Sequence, residues 1–296
     1  MIRSIKELHQ RIDNQERTKK LVLASAADEH SLEAVFAAKN RNIIEPILVG
    51  DTEAIKQKCQ KLNFDLSGVE IVHTSSKTAA VLESVKLVKS GKADILMKGH
   101  VSTADLLRGV LNKEWGLQTG SLLSHFALME IPRYHKMLGI TDVAMNIAPT
   151  LKEKTGIVKN AAQFMVRIGY ETPKVAVIGA VEVVNEKMPA TIEAAVLAKM
   201  SDRSQLPCLI DGPLALDNAL SKESAKHKGI ESEVAGDADI LLMPDIEAGN
   251  VLYKSFGFLQ CKIAAVILGA AAPIVLTSRS DTEETKLNSI VLAALS

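Results

Sequence analysis

Aromatic side chains are nearly missing: one Trp, three Tyr and six Phe make up 3% of 296 residues. That argues against base-stacking surfaces and aromatic sugar platforms. Net charge is missing too, with 35 Lys and Arg against 35 Asp and Glu. A dedicated nucleic-acid binder would show basic excess, whereas a local cationic pocket for a small anion stays open. Cysteine is scarce: Cys59, Cys208 and Cys261 are scattered, and no C-x-x-C occurs. This opposes a disulfide framework or zinc knuckle and fits a reducing cytoplasm. No long apolar run exists; the longest uncharged stretch, 263–278, holds Gly269 and Pro273 and is shorter than the ~20 residues of a membrane span. The charged opening Met-Ile-Arg-Ser-Ile-Lys-Glu lacks a signal-peptide core. A cytoplasmic protein without membrane association is expected.

The familiar catalytic turns are absent as well: no G-x-x-x-x-G-K-[ST], no G-x-G-x-x-G, no H-E-x-x-H, no G-x-S-x-G. What is there is an ordinary globular composition, 47% apolar and 24% charged. Short apolar runs at 20–24, 47–50, 70–73, 94–97, 174–179, 208–211, 239–243, 263–268 and 273–277 predict strands. Most are continuous rather than alternating, as in parallel strands buried on both faces. Helical patterns lie between them, at 31–40, 52–62, 77–90, 103–111, 152–168, 187–201 and 247–260. The alternation predicts an α/β sandwich. The stretch 131–148, with Pro132 and Gly139, breaks the rhythm and reads as a crossing between two α/β/α subdomains, 1–134 with 275–296 and 135–274. Ser280-Asp281-Thr282-Glu283 reads as a capping box, followed by an apolar face of Leu287, Ile290, Val291, Ala294 and Leu295.

Ligands of open α/β sheets sit beyond the carboxyl ends of the strands, so those turns are the places to search. After strand 94–97 come Lys98, Gly99, His100, Ser102, Thr103 and Arg108. Hydroxyls, cations and a helix N-terminus together suit an anion; the plainer reading is a capped helix with a solvated arginine. After strand 273–277 come Ser278 and Arg279, whose planar fork matches phosphate oxygens. The plainer reading pairs Arg279 with Asp281 or Glu283. After strand 239–243 come Asp245, Glu247, Asn250 and Lys254; the two carboxylates read as caps and dipole partners rather than metal ligands. His100 and His125 are the best-placed histidines, and each reads as structural before catalytic. Cys208, on an apolar strand, reads as a small buried hydrophobe.

Four long segments carry a family resemblance in order along nearly the whole chain: residues 97–108, 211–217, 234–254 and 273–279. They are similar to the phosphate acetyl/butyryltransferase family, and most to its butyryl-transferring branch. The resemblance implies an isocitrate/isopropylmalate dehydrogenase-like fold, two α/β/α subdomains with a cleft between them, and a homodimer or higher homo-oligomer. It implies the reaction acyl-CoA + phosphate ⇌ acyl phosphate + CoA, with butyryl first and acetyl as the alternative. No metal or other cofactor is expected, coenzyme A being a substrate. The partners would be acyl-CoA, phosphate and acyl phosphate, with no nucleic acid and no membrane. Ser278 and Arg279 would be catalytic, the arginine on phosphate and the serine assisting the transition state. Lys98, Ser102, Thr103, Arg108, Asn250 and Lys254 would bind substrate. One departure matters: the aspartate base of acetyl-transferring members falls near Thr285. Asp281, Glu283, Glu284 or none of them would take the thiol proton. Two other functions compete. An NAD-linked hydroxyacid dehydrogenase of this fold needs a metal carboxylate cluster and apposed Tyr and Lys, but Tyr253 and Lys254 are adjacent. A non-catalytic binder of coenzyme A or acyl phosphate is the other.

Overall fold

The computed structural model describes residues 2–12, 17–276 and 281–296. The chain divides into two compact α/β units, Leu8–Ser121 with Ala264–Ser296, and Met1–Glu7 with Leu122–Ile263. The sequence boundaries lie further along, at 134/135 and 274/275. Two features set the observed division. The strand that follows residue 122 pairs within the second unit, and the N-terminus is tied there: the Tyr170 hydroxyl donates to Ile2 carbonyl at 2.7 Å and Ile5 N–H donates to Glu130 at 2.6 Å.

Helix α1 (Ile5–Ile12) leads into the first unit. There β1 (Lys19–Ala24), α2 (Glu29–Asn40), β2 (Ile44–Gly50), α3 (Thr52–Lys61), β3 (Glu70–His73), α4 (Lys77–Lys89), β4 (Ile95–Lys98) and α5 (Thr103–Val110) alternate. The second unit holds β5 (Ser124–Glu130), β6 (Leu138–Thr141), α6 (Leu151–Arg167), β7 (Lys174–Ile178), α7 (Pro189–Asp202), β8 (Leu209–Leu214), α8 (Leu216–Leu220), α9 (Lys222–His227), β9 (Ile240–Leu242) and α10 (Ile246–Phe258). The chain returns through β10 (Lys262–Leu268), β11 (Ile274–Val275) and α11 (Glu283–Ala294). In the first unit the strand order is β3-β2-β1-β4-β11-β10, parallel except for the β10–β11 pair. In the second it is β5-β6-β9-β7-β8, parallel except for β5–β6.

The apolar runs form strands because both faces are covered. Leu21 to Ala24, Ile95 to Met97 and Ile240 to Leu242 are buried without a break. Most helices then start on a side-chain cap: Asp28, Asp51, Ser76, Ser102, Thr150, Asp245 and Thr282 each accept a backbone N–H from the first turn.

Three readings are corrected. The stretch 131–148 is no crossing: it contains β6, which pairs with β5 on one side and β9 on the other, all in the second unit. Short, antiparallel and interrupted by Pro132, this pair escapes a search for long apolar runs. The final helix starts two residues later than expected. Thr282 is its cap, with its hydroxyl accepting Thr285 N–H at 3.1 Å; the pattern hydroxyl-x-x-polar occurs at both 280 and 282, and Ser280 lies outside the described residues. Finally, α11 has no solvent face over 286–294, where every residue is buried.

The second unit also buries a charge cluster. The Lys136 ammonium is 2.6 Å from an Asp239 oxygen and 3.0 Å from an Asp237 oxygen, and its side chain is only 4% exposed. Lys174 and His135 close on Asp237 at 2.6 and 2.7 Å. Burial opposes ionisation of Asp237, but hydrogen bonds from Lys174, Lys136 and His135 win, and its carboxyl is held well below the usual carboxylate range. A depressed carboxyl stabilises the fold above the unfolded value near pH ~4 and loses that contribution as pH falls through the folded one. Stability measured by urea unfolding is therefore expected to decline below about pH 4 through Asp237. Lys136→Met should cost about 3–5 kcal/mol by stranding a buried carboxylate. Adding Asp239→Asn should recover part of it. A Lys136→Met protein as stable as wild type would show that the cluster is solvated.

Candidate functional site

In the first unit, the carboxyl ends of parallel strands β1, β3 and β4 each feed a helix: α2, α4 and α5. Residues from all three N-termini line one cavity of about 250 Å³, namely Asp28 and Ser31, Lys77, and Ser102. Lys98 and Gly99, at the end of β4, and Lys286 from α11 complete its charged wall. Gly99 is required by close packing: a Cβ there would stand 2.5 Å from the Ser25 carbonyl oxygen.

Two of the four residues expected in this region meet at the cavity. Lys98, half-buried, directs its ammonium at the Gly99 and Val101 carbonyls, at 3.5 and 3.4 Å. The Ser102 hydroxyl accepts Asp105 N–H at 3.0 Å and donates to the Asp105 carboxylate at 2.6 Å. Thr103 and Arg108 are not among the lining residues. Arg108 lies outward, its side chain 75% exposed, and donates to Asp105 at 2.6 Å. Hydrogen bonds from Ser102 and then Arg108 hold the Asp105 carboxyl below its usual value. Ser278 and Arg279 lie outside the described residues. Glu283 and Glu284 open the first turn of α11, and Thr285 carries no carboxylate; its hydroxyl accepts from Thr282 at 3.0 Å.

In the second unit, Asn250 and Lys254 lie on α10. Asp245 caps that helix, accepting Ala248 N–H at 2.8 Å, as expected of a cap. The Asn250 amide donates to the Val143 carbonyl at 3.1 Å. Gly249 lets the same loop sit on the helix, since a Cβ would meet the Asp142 carbonyl oxygen at 2.5 Å. Lys254 is exposed, its ammonium 5.5 Å from the centre of the Tyr253 ring. That ring meets His125 edge to face, centroids 5.6 Å apart.

His125 is buried and neutral. Burial pushes its pKa down to about 4, Asp142 opposes this and Lys254 adds to it. His100, by contrast, is exposed at the cavity, its backbone N–H donating to Ser25 carbonyl at 2.8 Å. Cys208 is the expected buried hydrophobe, with burial pushing its thiol up to about 12.

Sequence reasoning passed over Asp142, Lys77 and Lys286. The Asp142 carboxylate accepts four hydrogen bonds: His125 N–H at 3.1 Å, the Asn146 amide at 2.6 Å, Ala144 N–H at 2.8 Å and Met145 N–H at 3.0 Å. It shapes the loop on which α10 rests, and nothing in its local pattern marks it. Lys286 did leave a signal, a charge at the edge of an apolar run.

Chemically, the first-unit cavity offers cations, hydroxyls and helix N-termini to a small anion, and the α10 face offers a lysine held over an aromatic ring. Comparison with known sequences points to one family. The family model described as phosphate acetyl/butaryl transferase matches residues 3–86 and 73–294. The chain is 51% identical to a phosphate butyryltransferase of Clostridium acetobutylicum over 297 residues, covering 100% of this chain and 98% of the relative. It is 47% identical to a phosphate acetyltransferase of Thermotoga maritima, covering 94% and 95%. A crystal structure of a branched-chain phosphotransacylase from Enterococcus faecalis V583 superposes with a TM-score of 0.83 at 35% identity, covering 94% and 98%. With matches running from end to end in both sequence and fold, this chain belongs to the phosphate acetyl/butaryl transferase family.

Proposed function

We propose that the protein is a phosphate acyltransferase that moves a short acyl group, butyryl foremost, between coenzyme A and inorganic phosphate. The full-length 51% identity to a phosphate butyryltransferase carries this reading. The 47% identity to a phosphate acetyltransferase supports acetyl as the second acyl group. We place the enzyme in the cytoplasm as a homodimer or higher homo-oligomer; its three cysteines are unpaired, and no helix among the described residues is long and apolar enough to cross a membrane.

The proposed mechanism is direct transfer. The coenzyme A thiol loses its proton, to solvent or to one of Asp281, Glu283 and Glu284. The thiolate sulfur attacks the acyl carbonyl carbon of the acyl phosphate. The carbon–sulfur bond forms, the carbon–oxygen bond to phosphate breaks, and phosphate leaves with that electron pair. The reverse reaction retraces these steps. A free thiol has a pKa near ~8.5, so a cationic surrounding that favours thiolate raises the rate. Cations and helix N-termini offset charge growing on the carbonyl oxygen and on phosphate. No protein nucleophile is needed, only two substrates held at near-attack distance. Arg279 clamps the phosphate and Ser278 assists, with Lys98, Ser102, Thr103, Arg108, Asn250 and Lys254 binding substrate. Metal is not needed where cations do this work; the Asp105 carboxylate is engaged by the Ser102 hydroxyl and Arg108, and that of Asp245 in a helix cap.

Butyryl-CoA mixed with phosphate and protein should release thiol, read with a thiol reagent, only when phosphate is present. The rate should be unchanged by EDTA and need no NAD. No phosphate-dependent release from acetyl-, propionyl-, butyryl- or isobutyryl-CoA would sink the proposal, and activity lost to EDTA and restored by magnesium would sink its metal-free form.

Arg279→Lys keeps the charge but not the planar fork. Losing a charge-assisted hydrogen bond removes about 1.5–3 kcal/mol, so kcat/KM with phosphate varied should fall roughly ten- to a hundredfold, and less with butyryl-CoA varied. Near-normal phosphate kinetics in a folded variant would assign the arginine to an ion pair with Asp281 or Glu283. His100→Ala and His125→Ala should each retain more activity than Arg279→Ala. A loss of about a hundredfold or more in either folded histidine variant would give that histidine a catalytic role.

A further inference from the structure

Lys286 is the most deeply buried lysine among the described residues, at 3% exposure. Lys136 and Lys154, the other two buried lysines, each meet a carboxylate. The Lys286 ammonium makes no ion pair or hydrogen bond to any described residue. A buried cation without a counter-ion works against folding, so something else must account for it. Lys286 lines the first-unit cavity together with Lys77 and Lys98. The one carboxylate there, Asp28, is occupied as a cap: it accepts Ser31 N–H at 3.0 Å and the Ser31 hydroxyl at 2.5 Å. Three helix N-termini end at the same space, those of α2 with 12 residues, α4 with 13 and α5 with 8. Each brings unpaired backbone N–H groups and the positive end of its dipole. Val101 is the one apolar side chain in the wall, and the other side chains there carry charged or polar ends.

We infer that Lys286 is the buried counter-ion of a phosphate group bound in this cavity, with Lys77 at its rim as a second, exposed contact. The chemistry selects a dianionic phosphate. Two substrates of the proposed reaction carry one: inorganic phosphate, whose form in the products is the phosphoryl group of acyl phosphate, and coenzyme A through its own phosphates. The inference rests on the transacylase reading only for that choice of compounds.

Calorimetric titration of wild type, Lys286→Met and Lys77→Met with inorganic phosphate and, separately, with coenzyme A tests it, alongside thermal melting without ligand. Lys286→Met removes the charge and keeps the length. It should weaken one ligand about ten- to a hundredfold, the worth of a charge-assisted hydrogen bond. Lys77→Met should weaken the same ligand severalfold. Loss with phosphate assigns the site to the reacting phosphate; loss with coenzyme A alone assigns it to the phosphates of that substrate. Lys286→Met should melt no lower than wild type, because it removes a buried charge that no described residue offsets. Unchanged affinity for both ligands overturns the inference, and a lower melting point with unchanged affinities makes Lys286 a packing residue of α11. If Lys286→Met does not fold, Lys77→Met decides alone: unchanged binding of both ligands overturns the site. A wild-type protein that releases no thiol from acyl-CoA, yet loses phosphate affinity through Lys286→Met, would end the transacylase reading and leave the site standing. An active enzyme whose Lys286→Met variant binds normally does the reverse.

Discussion

The hydrogen bond from a backbone N–H to a capping side chain, made where a buried parallel strand ends, orders the first unit. At Asp28, Ser76 and Ser102 the chain leaves β1, β3 and β4, turns, and starts a helix within a few residues. Parallel strands share one direction, so these three helices begin at the same edge of the sheet. Their free N–H groups and dipoles add there instead of cancelling. A cationic cavity is the natural outcome, and Gly99 keeps its floor tight against the Ser25 backbone.

Buried lysines show how differently one residue type can be used in one molecule. Lys136 sits within 3.0 Å of two aspartates, and Lys154 meets Glu193. These ammonium groups are neutralised inside the fold, and their partners would be stranded without them. Lys286 has no such neighbour among the described residues and opens on the cavity instead. Stability and binding pull in opposite directions at that position, as they often do where a site stores unsatisfied charge.

In the second unit, one carboxylate organises the surroundings of the lysine expected to face substrate. Asp142 gathers His125, Asn146 and two backbone N–H groups. The loop it shapes carries the Val143 carbonyl that receives Asn250, one turn before Lys254. His125, kept neutral chiefly by burial, supports Tyr253 edge to face without adding charge beside the lysine. Asn250 thus has a positional duty that its place in the sequence motif did not announce.

Wherever neighbours along the chain decide the outcome, the sequence was sufficient. Continuous apolar runs became buried strands because nothing but a covered sheet accommodates them. Ser102 and Asp245 became caps because the N–H they accept is three residues away. The order of the four motif segments led to the right family. Tertiary structure decided the rest. The β5–β6 pair formed because β6 found β9, about a hundred residues on, as its other neighbour. Thr282 caps α11, two residues beyond the Ser280 that the local pattern offered and that lies outside the described residues. Lys286 shows in the sequence only as a charge at the edge of an apolar run, and its role takes shape when a helix from the far end of the chain is buried beside Lys77 and Lys98. Capping and strand runs act within a few residues, whereas whether a charge meets a carboxylate, water or a cavity is set by segments that only folding brings together.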